Sequence, residues 1–435
     1  MPGQPARPES DQRQSVSPHQ RNPHGIAKKI VTTSEELLAS TRDATIRNIV
    51  IHGALSNLSS FRLAPGQTLA GEGEEAILSF ASGSDGLQLS TDNEVVGIRI
   101  ETSVEMRAIF NDTDVDSLGQ IRLAGVTTVG QVQILARDKV RSGHVVVEGL
   151  NVIAADARAR SDRPNGFGVN VTQGAFTLWN MQTDATVSIS ADLTGLSAGR
   201  PTAPVLGSGI FVSGTLDGGR LTLPLLETGA VYSDGKIAPG TPDVITGGVF
   251  TVYNAIVDIV RNLGPVVTYG VNDMVLDNWG AVDHWIVEEK LTSYGPSGIG
   301  FVNFGTVNEL QVNAPIETFG QGARGFNVYD GTVNVAEFDR ITTHADGAVG
   351  IQISQPIGRL MVRRGIKTFG ATGDSLVKGV VVSLSAIALS VKPGGSAREI
   401  IIDGGIVTNG KGIAPLELHG AIGSLRIDGG IKAAN

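Results

Sequence analysis

The stretch Ile341–Ile351, ITTHADGAVGI, packs a histidine, an aspartate and two glycines into a few residues, a content that would suit a catalytic loop. Its relatives within the chain decide the reading. IETFGQGARGF begins 25 residues earlier at Ile316, and IKTFGATGDSL begins 25 residues later at Ile366. His344 therefore occupies a slot that both neighbours fill with phenylalanine, and Asp346 and Gly347 fall at a turn. The stretch is one unit of a repeat, and the repeat sets the fold.

An apolar-x-Thr/Ser/Ala triplet recurs at Ile100, Val126, Val152, Met181, Leu226, Val266, Leu291, Ile316, Ile341, Ile366, Ile406 and Ile431. The steps are 26, 26, 29, 45, 40, 25, 25, 25, 25, 40 and 25 residues, a minimum of 25 with material inserted at certain turns. A fixed period of this length is a solenoid signature. Each unit holds three short strands and no helix-length amphipathic stretch, which favours a parallel β-helix over leucine-rich or helical repeats. About twelve rungs stacked at roughly 4.8 Å make a rod of about 58 Å. Side-chain alternation places Ile316 and Thr318 inward and Glu317 outward. Identical slots then form ladders: hydroxyls at Thr268, Ser293, Thr318, Thr343 and Thr368, and rings at Tyr269, Tyr294, Phe319, His344 and Phe369.

Composition agrees with an all-β chain: 57 glycines, 5% aromatic residues, and short Val/Ile/Thr/Leu runs closed by Gly, Asn or Asp. The net charge of -9, with no basic stripe interleaved with aromatics, argues against nucleic acid. The absence of cysteine excludes disulfides and thiolate metal sites. Residues 1–28 are polar and Pro-rich with no apolar signal core and read as a disordered tail before a single domain, 29–435. No run of eighteen apolar residues follows, so a soluble protein is expected, cytoplasmic or exported without a recognisable signal peptide, and not a membrane protein. His19, His24 and His52 lack ligand spacing, and neither a metal nor a cofactor is expected.

The entry to the repeat, TTSEELLASTRDATIRNIVIHG (Thr32–Gly53), resembles the capping helix and first strand of the right-handed parallel β-helices of the pectate-lyase-like superfamily. Thr33 or Ser34 would be its N-cap, with Glu35 and Glu36 in the first turn. FRLAPGQTLAGEG (Phe61–Gly73) is similar to the first-rung phrase of that group. The resemblance implies fold alone. The Gly-His-Gly and Asp-Asp signatures of its polygalacturonase-like members, the Asp-Pro-His-Asp of alginate epimerases and the calcium-binding nonapeptide are all missing.

Enzymes of that superfamily place their acids on one parallel sheet beneath overhanging loops. Here the long insertions are 154–166, 184–209 and 229–248, and long ordered loops usually serve function. The third strands beneath them give an outward column expected to be Asn170, Phe211, Thr251, Asp277, Val302, Asn327 and Gln352. The candidate acids are Asp234, Asp243, Asp273 and Asp277; the candidate substrate-binding residues are Asp162, Arg163, Tyr232, Lys236, Tyr253, Trp279 and Asn327. Carboxylates with amides and flat rings suit a saccharide, so a carbohydrate-active hydrolase, lyase or transferase is the leading expectation. The alternatives are a structural or adhesin-like β-helix whose loops bind a partner or form a homo-oligomer, a trimer among them, and a small-molecule isomerase or cyclase using the same face.

Overall fold

The computed structural model describes residues 28–434 except 239 and 378. The expected tail, with His19 and His24, lies outside the described residues apart from its last position. Strand Lys28–Val31 pairs in parallel with Asn48–Leu58, and between them helix α1, Ser34–Arg42, closes the end of the solenoid. Thr33 is the N-cap: its hydroxyl accepts from the Glu36 amide at 3.2 Å, and the Glu36 carboxylate reaches back to the Thr32 amide at 2.9 Å. Leu37, fully buried, fills the open end of the core.

Beyond the cap the chain is a parallel β-helix with three faces. Long strands such as Thr306–Val312 make the first, triplet strands such as Ile316–Thr318 the second, and strands such as Arg324–Val328 the third. The third face stacks thirteen strands in one path, against about twelve rungs expected. From Val266 onward the predicted register holds residue for residue, with Leu291, Ile316, Ile341, Ile366, Ile406 and Ile431 aligned in successive parallel pairs. Leu291, Ile316, Ile341, Ile366 and Ile406 share one continuous core with the Phe301, Phe326 and Trp285 rings, whereas Ile431 is exposed. Thr268, Ser293, Thr318, Thr343 and Thr368 are all buried beside them.

In the N-terminal half the triplet spacing misassigns the register. Ile100 pairs with Thr128, Val126 with Leu150, and Val152 with Ala198. Met181 follows a third-face strand, and Val231, not Leu226, pairs with Val266. The cause is local: here the first two faces are covered by single long strands, Ser117–Val129, Ser142–Ala154 and Ser188–Ala198, bent at left-handed glycines such as Gly125, Gly149 and Gly195. Segment 184–209 is accordingly a rung, not an insertion.

The ring ladder forms as expected. Tyr269, Tyr294, Phe319, His344 and Phe369 stack with centroids 4.5–5.4 Å apart and planes within 15°. His344 also meets Glu317 at 2.9 Å, and Glu317 has Lys290 as a second partner. His344→Phe should keep the stack and lose only a partly exposed ion pair, so urea denaturation should give stability equal to wild type or higher, within about 1 kcal/mol. A larger loss would mean that the imidazole is more than a ring in a slot.

Candidate functional site

The outer side of the third face is not an open groove; it carries a roof. Asn165–Gly166 pairs antiparallel with Val169–Val171, which adds in parallel to Val244–Thr251. A hairpin of Thr372–Val377 and Val380–Ser385 covers the next rungs, pinned by Ser375 Oγ donating to the Gly322 carbonyl at 2.7 Å and by Ser297 Oγ accepting from the Leu376 amide at 2.9 Å. Between roof and sheet lies a second apolar cluster that includes Phe211, Phe250, Trp279, Ile299, Val302 and Tyr329, with Phe167 set against it. Phe167 takes a left-handed backbone with φ 52° and places its ring 5.0 Å from Trp279 and 4.5 Å from Phe304. A non-glycine residue in that region is uncommon and must be held there by its packing.

The column under the roof runs Thr177, Phe211, Phe250, Asp277, Val302, Asn327, Gln352. Asn170 and Thr251, expected in it, lie elsewhere: Asn170 belongs to the roof and pairs with Val244, and Thr251 stacks one position along, beside Asn278. Expecting one outward residue per strand at constant spacing ignored where each strand begins after its insertion.

Asp277 is fully buried at the floor of a cavity of about 30 Å³ walled by Phe167, Met274, Val302, Phe304, Tyr329 and Leu376. That space admits one or two waters or a small functional group. Neither carboxylate oxygen has a hydrogen-bond partner among the described residues. Burial pushes its pKa well above the ordinary carboxylate value; the Trp279 indole pulls the other way, but its N–H makes no well-formed hydrogen bond. A carboxyl group here is held in its neutral, proton-donating form. The Tyr329 hydroxyl is also raised by burial, opposed by Arg324 and by Asn327.

Asp273 starts the same strand and is fully buried, yet it is satisfied. It accepts from the Gly235 amide at 3.0 Å, the Gly270 amide at 2.7 Å and the Thr246 hydroxyl. Burial pushes it from 3.8 up to about 7, against those three bonds, with the Asp234 charge adding to the rise. Its geometry is that of a staple joining two turns. Because the folded pKa lies above the unfolded one, the stabilisation is complete below about pH 4 and is lost as pH rises through about 7. Urea midpoints should therefore fall between pH 4 and 8, and Asp273→Asn should flatten the part of that slope near pH 7; an unchanged slope would contradict the assignment.

The other candidates divide. Asp234 sits beside Asp273 at the turn, accepting from the Lys236 amide at 2.9 Å with the Lys236 ammonium 3.6 Å away. Tyr253 packs edge-on to Trp279 at 5.3 Å and donates to the Asn165 carbonyl at 3.2 Å, tying roof to sheet. Asn327 is buried two rungs from Asp277. Four do not join them. Tyr232 stands on the triplet face beside Val267. Asp243 is exposed and offers its backbone carbonyl to Asn170. Asp162 pairs with Arg137 at 3.3 Å, and Arg163 braces its own loop through the Arg158 and Arg160 carbonyls. Loop position brought these residues into the list, but turn geometry and local pairing consume their polar groups.

Sequence reasoning missed the hairpin and with it Leu376, although the 40-residue step from Ile366 to Ile406 marked the insertion. It also missed Phe167, Phe304 and Arg324, which carry no motif. Among the described residues no cluster of three or more His, Cys, Asp or Glu could hold a metal, and no helix is long and apolar enough to cross a membrane. No protein-family model, curated protein or solved structure matches the chain, so the fold and the roofed carboxyl are the ground on which its function must be argued.

Proposed function

We propose that the protein is a proton-transfer enzyme, of the isomerase or cyclase kind, acting on a small and mostly apolar molecule whose reacting group enters the cavity between the third face and its roof. Asp277 is the acid. The observation that carries this reading is a fully buried carboxyl group with no hydrogen-bond partner among the described residues, opening into an aromatic-walled cavity. Such a group costs stability and is kept where chemistry uses it. A neutral acid enclosed away from water can protonate a carbonyl oxygen or an alkene carbon and recover the proton in the next step.

The likeness to the pectate-lyase-like group, whose enzymes commonly place their acids on one parallel sheet beneath overhanging loops, supports looking for acids under the roof. The saccharide groove expected from sequence is less well supported, because the roof fills the face along which a polymer would lie. A screen in D₂O tests the proposal across a class of substrates at once. Small ketones, enones and unsaturated acids are incubated with the protein, and carbon-bound deuterium is read by NMR. Exchange that disappears in Asp277→Asn is expected. Depolymerisation of a polysaccharide with an intact Asp277 requirement, or exchange indifferent to Asp277, would overturn it.

A further inference from the structure

Arg324 is among the largest fully buried side chains of the molecule. Its guanidinium makes one hydrogen bond, Nη1 to the Gly322 carbonyl at 3.1 Å, while Nε and Nη2 have no partner among the described residues. No carboxylate among the described residues pairs with it. Guanidinium groups stay charged, and a buried charge without a counter-ion is strongly unfavourable. An anion would satisfy both the Nε and the Nη2 group.

The position of Arg324 says where that anion sits. Ile299, a wall residue of the Asp277 cavity, aligns with Arg324 on the next rung. Tyr329, another wall residue, has its ring centroid 5.8 Å from the guanidinium carbon. The arginine thus lies behind two wall residues of the cavity, Ile299 and Tyr329, on the side toward the C-terminal rungs. Leu376 and Gly379 are shared with a wider recess of about 450 Å³ whose walls include Pro242, Val271, Pro296 and Val381. A charged inner end and an apolar outer end describe an amphiphile.

We infer that the molecule taken up under the roof is a small organic acid anion, its carboxylate paired with the free Nε and Nη2 donors of Arg324 and its hydrocarbon part lying toward the apolar recess. The planar fork of an arginine matches a carboxylate, with two parallel charge-assisted bonds. This inference rests on the cavity being the ligand site, as proposed above, and adds the class of ligand.

Calorimetric titration with hexanoate, hexanol and hexanamide separates the two ideas. Hexanoate should bind at least about tenfold more tightly than either neutral probe, and Arg324→Gln should weaken it about 10- to 100-fold, the scale of charge-assisted hydrogen bonds. Val302→Leu, which adds roughly one methylene to the cavity wall, should block all binding there. Equal binding of hexanol and hexanoate, both blocked by Val302→Leu, would overturn the acid inference and leave the cavity reading standing. Hexanoate binding untouched by Val302→Leu, or no binding by any probe, would overturn both. Should Arg324→Gln fail to fold, the comparison of the three probes on the wild-type protein decides alone.

Discussion

Asp277→Leu is expected to make the protein more stable, by about 1–3 kcal/mol, while abolishing proton exchange. The native carboxyl is completely buried with neither oxygen hydrogen-bonded among the described residues, and an unsatisfied polar group of this kind costs about that much. Leucine is bulkier, but the adjoining cavity of about 30 Å³ takes up part of the extra volume. The column above it already holds Phe250 and the one below Val302, so an apolar residue suits the environment. A stabilising substitution that removes activity is the mark of a residue retained for chemistry. Chemical denaturation at pH 7 is the measurement. A loss of more than about 1 kcal/mol would mean that Asp277 has a structural role, and the acid reading would fail with it.

Gly325→Val should prevent folding or lower stability by several kcal/mol. A Cβ at this position would stand 2.3 Å from Ile341 Cγ2 and 2.6 Å from the Gly350 carbonyl oxygen. Gly209, Gly248, Gly300 and Gly350 meet the same obstacle, a triplet-strand side chain on one side and the next rung's carbonyl on the other. The contact with Ile341 can be relieved by repacking; the one with the backbone of the next rung cannot without opening the stack. Overpacking in cores costs about 1–3 kcal/mol even where side chains can yield. Ile341→Ala added to Gly325→Val should therefore rescue only part of the loss. Full rescue, read from the thermal midpoint, would show that the rung spacing does not depend on the glycine.

How far the sequence could be read follows from where one strand ends and the next begins. Between Val266 and Ile366 the bends fall at fixed positions, and alternation alone placed Thr318 inward, Glu317 outward and His344 in a ring stack. Between Ile100 and Val231 the strands run through two faces, so the spacing of triplets no longer marks the corners and the register drifted by two or more residues. The site was legible in part. Asp277 and Asn327 stand in one column across the stacked strands and were found by counting, while Trp279, just past the end of the Asp277 strand, was found as a ring near that column. Arg324 and Phe167 were not, because what matters about them is which loop lies over them, and periodicity is silent on that. Asp243 and Arg163 entered through loop membership, yet their environments turned out to be solvent and backbone carbonyls.

The protonation state of Asp277 is the most direct test of the account. Infrared difference spectra of wild type against Asp277→Asn, taken from pH 5 to 9, report un-ionised carboxyl groups by their C=O stretch. Asp273, pushed up to about 7 by burial, is present in both proteins and cancels in the difference. The account predicts a band, absent from Asp277→Asn, that persists at and above pH 7. A carboxylate at position 277 already ionised at pH 6 would contradict it.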